Sequence, residues 1–220
     1  MRRSTPIGRA GLGLCLALLA AGPALARPAP GAGGADFSGA PASGDTRRLA
    51  DWVVRSGDAH GQPFIIVDKA GAHVFAFGPD GAIRGDAPAL LGLARGDVSP
   101  PGIGDRKLAD IGPADRITPA GRFDAVMGHN FAHDILWVDY AAAISLHRVV
   151  TSNAAEHRLA RLASASTRDN RISYGCINVP AAFYEQVVAP LFRPANGVVY
   201  VLPESRPLAA VFAGAALGKP

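Results

Sequence analysis

Cysteine is almost missing from this chain: among 220 residues only Cys15 and Cys176 carry a thiol. Acid is missing from the start, where "MRRSTPIGRA" holds Arg2, Arg3 and Arg9 and no carboxylate. A long apolar run is missing too. "GLGLCLALLAAGPALA" stays cleanly apolar only as far as Ala21, short of the roughly 20 residues a spanning helix needs. Pro23 and the small residues Ala24 and Ala26 then close it. A basic start, a short apolar centre and an A-x-A ending describe an export leader over residues 1–26, cleaved after Ala26, rather than a membrane anchor. Leu14 before Cys15, where a lipoprotein leader needs a small residue, excludes that variant. The expected location is therefore outside the cytoplasm, in the periplasm or cell envelope, with no stable membrane span after cleavage. Without the leader, 19 Lys and Arg face 18 Asp and Glu, which leaves no charge excess for a nucleic-acid partner. Cys176 becomes the sole thiol of the remaining 194 residues. No internal disulfide can form, so this thiol is either buried and inert or kept for its reactivity.

Residues 27–45, "RPAPGAGGADFSGAPASGD", contain Pro, Gly, Ala and Ser with one aromatic. So little apolar surface cannot offset the entropy of ordering, and the segment is expected to be a flexible tether. "TRRLADWVVRSG" sets Leu49, Trp52 and Val53 at helical spacing. From Phe64 the period becomes two. "FIIVD", "AHVFAF" and "AIRGDAPALLGL", separated by "KAG" and "GPDG", predict a β-meander. "ARGDVSPPGIGDRKLADIGPADR" is a loop of a length more often functional than idle. "ITPAGRFDAVMG", "DILWVDYAA" and "AISLHRVV" are extended, and "AAEHRLARLASAS" is helical. "PAAFYEQVVAPLF" opens a helix at Pro180 with Phe183, Val187 and Leu191 on one face, and "GVVYVLPE" is a last strand. No internal repeat is visible. The expected fold is mostly β with a few short helices, one domain over 46–205 and a tail over 206–220.

A cysteine nucleophile needs a base to make thiolate and donors to receive the oxyanion. Among six histidines, His147 lies in "AISLHRVV", where alternation places it with Ser145 and Val149 on one face and Ile144 and Leu146 on the other. That pattern fits a structural histidine as well as a catalytic one. His129 and His133 form H-x-x-x-H, but the Glu beside the first His of a zincin is absent, and Gly128 and Phe131 suit a strand or loop. No metal and no cofactor are expected. In "RISYGCINVP", Gly175 allows a sharp turn beside Cys176, while Ser173 and Asn178 add short polar groups that can fix it. Backbone N–H groups around such a turn make an oxyanion site.

"SYGCIN" behind a strand-borne histidine resembles the signature of the L,D-transpeptidase catalytic domain, the YkuD-like family. That signature is a histidine, a spacer, then Ser/Thr-His-Gly-Cys, an apolar residue and Asn or Arg. Ser173, Gly175, Cys176, Ile177 and Asn178 match it, and His147 matches the upstream base. "ITPAGRF" is similar to the family's Thr-Pro-x-Gly segment, and "FIIVDKAGAHVFAFGPDGAIRG" to its opening meander. The likeness runs from about Phe64 to Pro203 and implies a β-sandwich or barrel-like domain.

The resemblance further implies a mechanism and a substrate. Cys176 would be the nucleophile and His147 the general base, with amides near Tyr174, Gly175 and Cys176 holding the oxyanion. Arg148 would meet substrate carboxylates, whereas Arg171 is expected on the solvated surface. The substrates would be peptidoglycan stem peptides. A side-chain amine of a second stem, an envelope lipoprotein and water all stay open as acceptors. A carboxypeptidase on the same scaffold, a non-catalytic peptidoglycan-binding module and an exported metalloenzyme are the alternatives. Two features depart from the family: Tyr174 replaces its histidine, and 29 positions separate His147 from Cys176. Residues 154–165 therefore resemble an insertion, a lid over the cleft or a surface elaboration.

Overall fold

The computed structural model describes Met1, residues 33–130 and residues 133–216. Except for Met1, the expected leader lies outside the described residues, as do residues 27–32 of the expected tether. Among the described residues ten strands form: β1 Phe64–Asp68, β2 His73–Phe77, β3 Ile83–Pro88, β4 Leu91–Gly92, β5 Gly121–Asn130, β6 His133–Asp139, β7 Ile144–Arg148, β8 Arg171–Ser173, β9 Ile177–Val179 and β10 Gly197–Val201. Eight make one sheet in the order β3-β2-β1-β10-β5-β6-β7-β9, and β4 pairs with β8. Past β3 the chain turns onto the opposite edge, where Leu90 and Asn178 exchange backbone hydrogen bonds of 2.8 and 2.9 Å. The sheet is thereby nearly closed into a barrel. The fold is mostly β with a few short helices, as expected.

The β1–β2–β3 meander has Phe64 opposite Phe77 and Phe77 opposite Ile83. β1 is buried throughout, and apolar up to Asp68, because both its faces are covered. Ile65 and Val67 point into the barrel core with Val199, Leu146 and Ile177, while Phe64 and Ile66 join a second core with Phe75 and Tyr200. Helix α1 (Gly44–Ser56) seals that second core with Leu49, Ala50 and Val53. It starts two residues before the predicted Thr46, because the Ser43 side chain accepts the Thr46 N–H, and it stops at Gly57 with φ 68°.

Part of the segment expected as a tether is packed. Phe37 is buried, its ring edge-on to Phe75 and Phe77 at centroid distances of 5.9 and 5.1 Å, and Asp36 bridges to Ala82. A single aromatic supplies the anchor that the surrounding small residues cannot. The expected tail also packs. Leu208, Phe212 and Ala215 join the second core, the last of these in the short helix Ala213–Ala216.

β7 and β9 run parallel, which demands a long crossover. The crossover carries a 3₁₀ turn at Ala154–Glu156 and helix α2 (Arg158–Leu162). After β9, helix α3 (Ala181–Phe183) widens into a π turn at Tyr184–Val188 and resumes as α4 (Ala189–Phe192). Pro190 has no N–H to give to a regular helix, so a local rearrangement there is expected. The fully buried stripe is Tyr184, Val188 and Phe192 rather than the predicted Phe183, Val187 and Leu191, which flank it.

Candidate active site

The two-residue period of β7 decides which groups reach the cleft. Ile144 and Leu146 enter the barrel core, so Ser145 and His147 take the opposite face. The parallel register with β9 sets Leu146 beside Ile177 and His147 beside Asn178. Cys176, one residue before β9, therefore comes level with Ser145. Its Sγ lies 3.6 Å from the Ser145 hydroxyl and 3.7 Å from the Ala143 carbonyl oxygen.

His147 Nδ1 is 2.7 Å from the backbone oxygen of Arg148. A carbonyl can only accept, so Nδ1 carries the proton and Nε2 keeps a lone pair for the thiol. Burial is the largest influence on Cys176 and pushes its pKa up. The nearby His147, with the amide and hydroxyl of Ser145, outweighs it and holds the thiol below its ordinary value. A partly exposed thiol beside a hydroxyl and an imidazole is the environment of a reactive cysteine rather than an inert one.

The turn around Cys176 is fixed at several points. Gly175 has φ +130°, and a Cβ there would stand 2.6 Å from Ile144 Cδ1 and 2.7 Å from the Ile117 oxygen; only glycine fits. The Ser173 hydroxyl donates to the Cys176 oxygen (2.6 Å) and accepts the Gly175 N–H (3.1 Å). Asn178 Nδ2 donates to the same Cys176 oxygen at 3.2 Å. Thr118 Oγ1 donates to the Gly175 oxygen (2.7 Å) and accepts the Gly92 N–H (2.9 Å). The Gly175 amide, one of three expected oxyanion donors, is thus engaged by Ser173.

A cavity of about 150 Å³ opens beside the thiol. The long loop before β5 contributes Ile103, Leu108 and Ile111 to it, opposite Ile144 and Tyr174. The Arg106–Asp115 ion pair, 3.2 Å, also borders it. Tyr174 does not point at His147: its ring lies under the Arg116 guanidinium, 3.9 Å from the ring centroid. A second cavity of about 330 Å³, lined by Pro100, Pro101 and Phe123, adjoins the first across Ser99 and Ala142 but does not reach the thiol.

The structure thus gathers His147, Ser173, Gly175, Cys176 and Asn178 in one place and leaves two arginines elsewhere. The Arg148 guanidinium, expected to meet substrate, is held by Asp134 (2.8 Å) and Glu185 (2.5 Å) over the Tyr184 ring. Arg171, expected on the surface, is buried and paired with Glu204 at 2.6 Å. His129 and His133 are exposed near the tip of the β5–β6 hairpin, on neighbouring strands rather than one helix face.

No protein-family model matches the chain, and no curated protein matches it. The solved structures similar to it are mainly L,D-transpeptidases. A mutant L,D-transpeptidase of Enterococcus faecium is 18% identical, with 64% of this chain covering 50% of that one at a TM-score of 0.38. The helical cell shape determining protein Pgp2 of Campylobacter jejuni (K-to-A mutant) is 14% identical, with 76% of this chain covering 58% of that one at 0.43. The catalytic domain of the E. faecium L,D-transpeptidase acylated by ertapenem is 18% identical, with 64% of this chain covering 97% of that one at 0.37. The chain spans 50% and 58% of the first two.

Ser145 and Thr118 were not singled out as site residues from sequence. Ser145 had a signal, two residues before His147 on the same strand face. It also yields a test. Ser145→Ala keeps the backbone amide but removes the hydroxyl donor to the thiolate. The thiolate fraction at a given pH falls, so the pH profile of iodoacetamide alkylation is expected to move to higher pH.

Proposed function

We propose that this chain is an exported L,D-transpeptidase that acts on peptidoglycan stem peptides through a cysteine thioester. One observation carries the chemistry. An imidazole whose tautomer is set by the Arg148 carbonyl lies on the strand beside a thiol held on a glycine turn at the mouth of a cavity. The substrate class follows from the likeness of "SYGCIN", His147 and "ITPAGRF" to the transpeptidase signature.

In this reading the Cys176 proton passes to His147 Nε2, and the thiolate attacks the carbonyl carbon of the amide joining the third stem residue to the terminal D-alanine. The oxygen of the tetrahedral intermediate is received by the amides of Tyr174 and Cys176, since Gly175 is engaged by Ser173. When the C–N bond breaks, the His147 imidazolium returns the proton to the departing amine and D-alanine leaves. A side-chain amine of a second stem then attacks the thioester, its proton goes to His147, and Cys176 is released. The product is a 3–3 cross-link.

The test is incubation of the purified protein with disaccharide-tetrapeptide and mass analysis of the products. Cross-linked dimers lacking one D-alanine are expected. Tripeptide alone would make the enzyme a carboxypeptidase. Absence of any product with binding retained would leave a peptidoglycan-binding module, and activity that tracks stoichiometric zinc would overturn the cysteine mechanism.

A further inference from the structure

The crossover between β7 and β8 looks in sequence like an addition to the surface. Much of it is tied to itself. Arg161 donates to the backbone oxygens of Glu156 and Asp169 at 2.8 and 2.9 Å, and the Ser164 hydroxyl to Asp169 at 2.6 Å. Leu159 faces outward, 61% exposed. Arg158, its neighbour in α2, turns inward, with only 13% of its side chain exposed. Its Nε donates to Glu156 at 2.5 Å and its Nη1 to Asn178 Oδ1 at 2.8 Å.

Asn178 is fully buried and is the residue whose Nδ2 holds the Cys176 oxygen. Its backbone N–H and oxygen are both bound to Leu90, so only the side-chain amide is free to turn. A guanidinium can only donate, so it fixes Oδ1 toward Arg158 and thereby Nδ2 toward Cys176. Without it Oδ1 would be buried and unpaired, and the flipped amide would set oxygen against the Cys176 carbonyl. The second hold on that carbonyl, from Ser173, would then act alone.

We propose that Arg158 is a positioning residue: through Asn178 it fixes the Cys176 carbonyl and keeps Sγ in reach of Ser145 and His147. The crossover segment thus serves the nucleophile's turn instead of merely linking strands. This inference rests on Cys176 being the nucleophile. The titratable groups facing the thiol are His147 from β7 and, across the cavity, Arg106, Asp115 and Tyr174; Arg158 itself touches none of them.

The experiment compares wild type with Arg158→Met, Arg158→Lys and, as an outward-facing control, Leu159→Ala. The thermal midpoint, steady-state kinetics on disaccharide-tetrapeptide and iodoacetamide alkylation across pH are measured for each. The expected result for Arg158→Met is a kcat about tenfold lower with KM within a factor of two, and an alkylation midpoint moved to higher pH. Lysine keeps a cationic donor, but its single nitrogen cannot span Glu156 and Asn178 as the guanidinium does, so it should shift both in the same direction by less. Leu159→Ala should match wild type. If the methionine variant does not fold, the lysine variant decides alone. Wild-type kcat and alkylation midpoints in the folded arginine variants, even with a lower thermal midpoint, would reduce Arg158 to a structural contact and overturn the proposal. A wild-type thiol alkylating at the pH of an ordinary cysteine would remove the nucleophile reading and this inference with it.

Discussion

Cys176→Ala is expected to abolish product formation from disaccharide-tetrapeptide, a loss of about 10⁴-fold or more, while the protein folds and binds as before. The thiol is half-buried, and its listeners are a hydroxyl, a carbonyl and an imidazole rather than packed methyls. Removing sulfur therefore opens little apolar space. On the proposed mechanism what disappears is the atom that would carry the acyl group, and no thioester mass should be detected on the variant. His147→Ala should behave differently. It leaves the thiol but removes the imidazole that helps hold its pKa down. The loss is about 10²–10⁴-fold near neutrality. Because a thiol with a higher pKa is ionised only at higher pH, this variant should recover rate as pH rises toward the ordinary cysteine value of about 8.5. Wild type should reach its thiolate plateau at lower pH. Kinetics across pH, with mass analysis of the trapped protein, separates the two roles. Full activity in Cys176→Ala would end the cysteine mechanism.

The parts of this site legible in sequence were those written in local pattern. Alternation in "AISLHRVV" was sufficient to put His147 and Ser145 on one face, because Ile144 and Leu146 had to enter the core. Gly175 was legible because a glycine beside the thiol marks a sharp turn, and the structure gives it φ +130° with the Ile117 oxygen 2.7 Å from where a Cβ would stand. The β1–β2–β3 meander was legible from its turns. Contacts made by long side chains across sequence distance were not. Arg148, Arg158 and Arg171 look alike in the sequence, yet one is held over Tyr184, one turns inward to Asn178 and one is buried on Glu204. Phe37 likewise carried no periodic signal, and only the closed sheet shows that Phe75 and Phe77 await its ring.

Lys69→Met is expected to destabilise the protein by about 3–5 kcal/mol, lowering the thermal midpoint by about 10 °C, and to slow catalysis as well. In sequence Lys69 is a turn residue after "FIIVD"; in the structure it is fully buried. Its ammonium donates to Asp97 (2.9 Å), to the Thr118 oxygen (2.9 Å) and to the Gly96 oxygen, with Glu204 at 3.8 Å. Arg171 closes the cluster by bonding both Glu204 and the Lys69 oxygen. Methionine fills nearly the same volume, so no cavity term enters. The cost is that of leaving a buried carboxylate and two carbonyls without their shared donor. The pH dependence follows from Asp97. Burial pushes its carboxyl up, but the Ser205 hydroxyl, Lys69 and the Glu204 amide hold it well below the usual range. Its stabilising contribution is present above a pH of about 4 and is lost as pH falls further. With Lys69 gone Asp97 is easier to protonate, so the gap between wild type and variant should be widest at neutral pH and narrow on acidification, as urea unfolding at several pH values would read. Catalysis suffers by a traceable route. Lys69 holds the Thr118 backbone, and the Thr118 hydroxyl holds the Gly175 oxygen next to Cys176. A variant that loses stability but keeps wild-type kcat below its unfolding range would show that the turn around Cys176 stands without this buried charge.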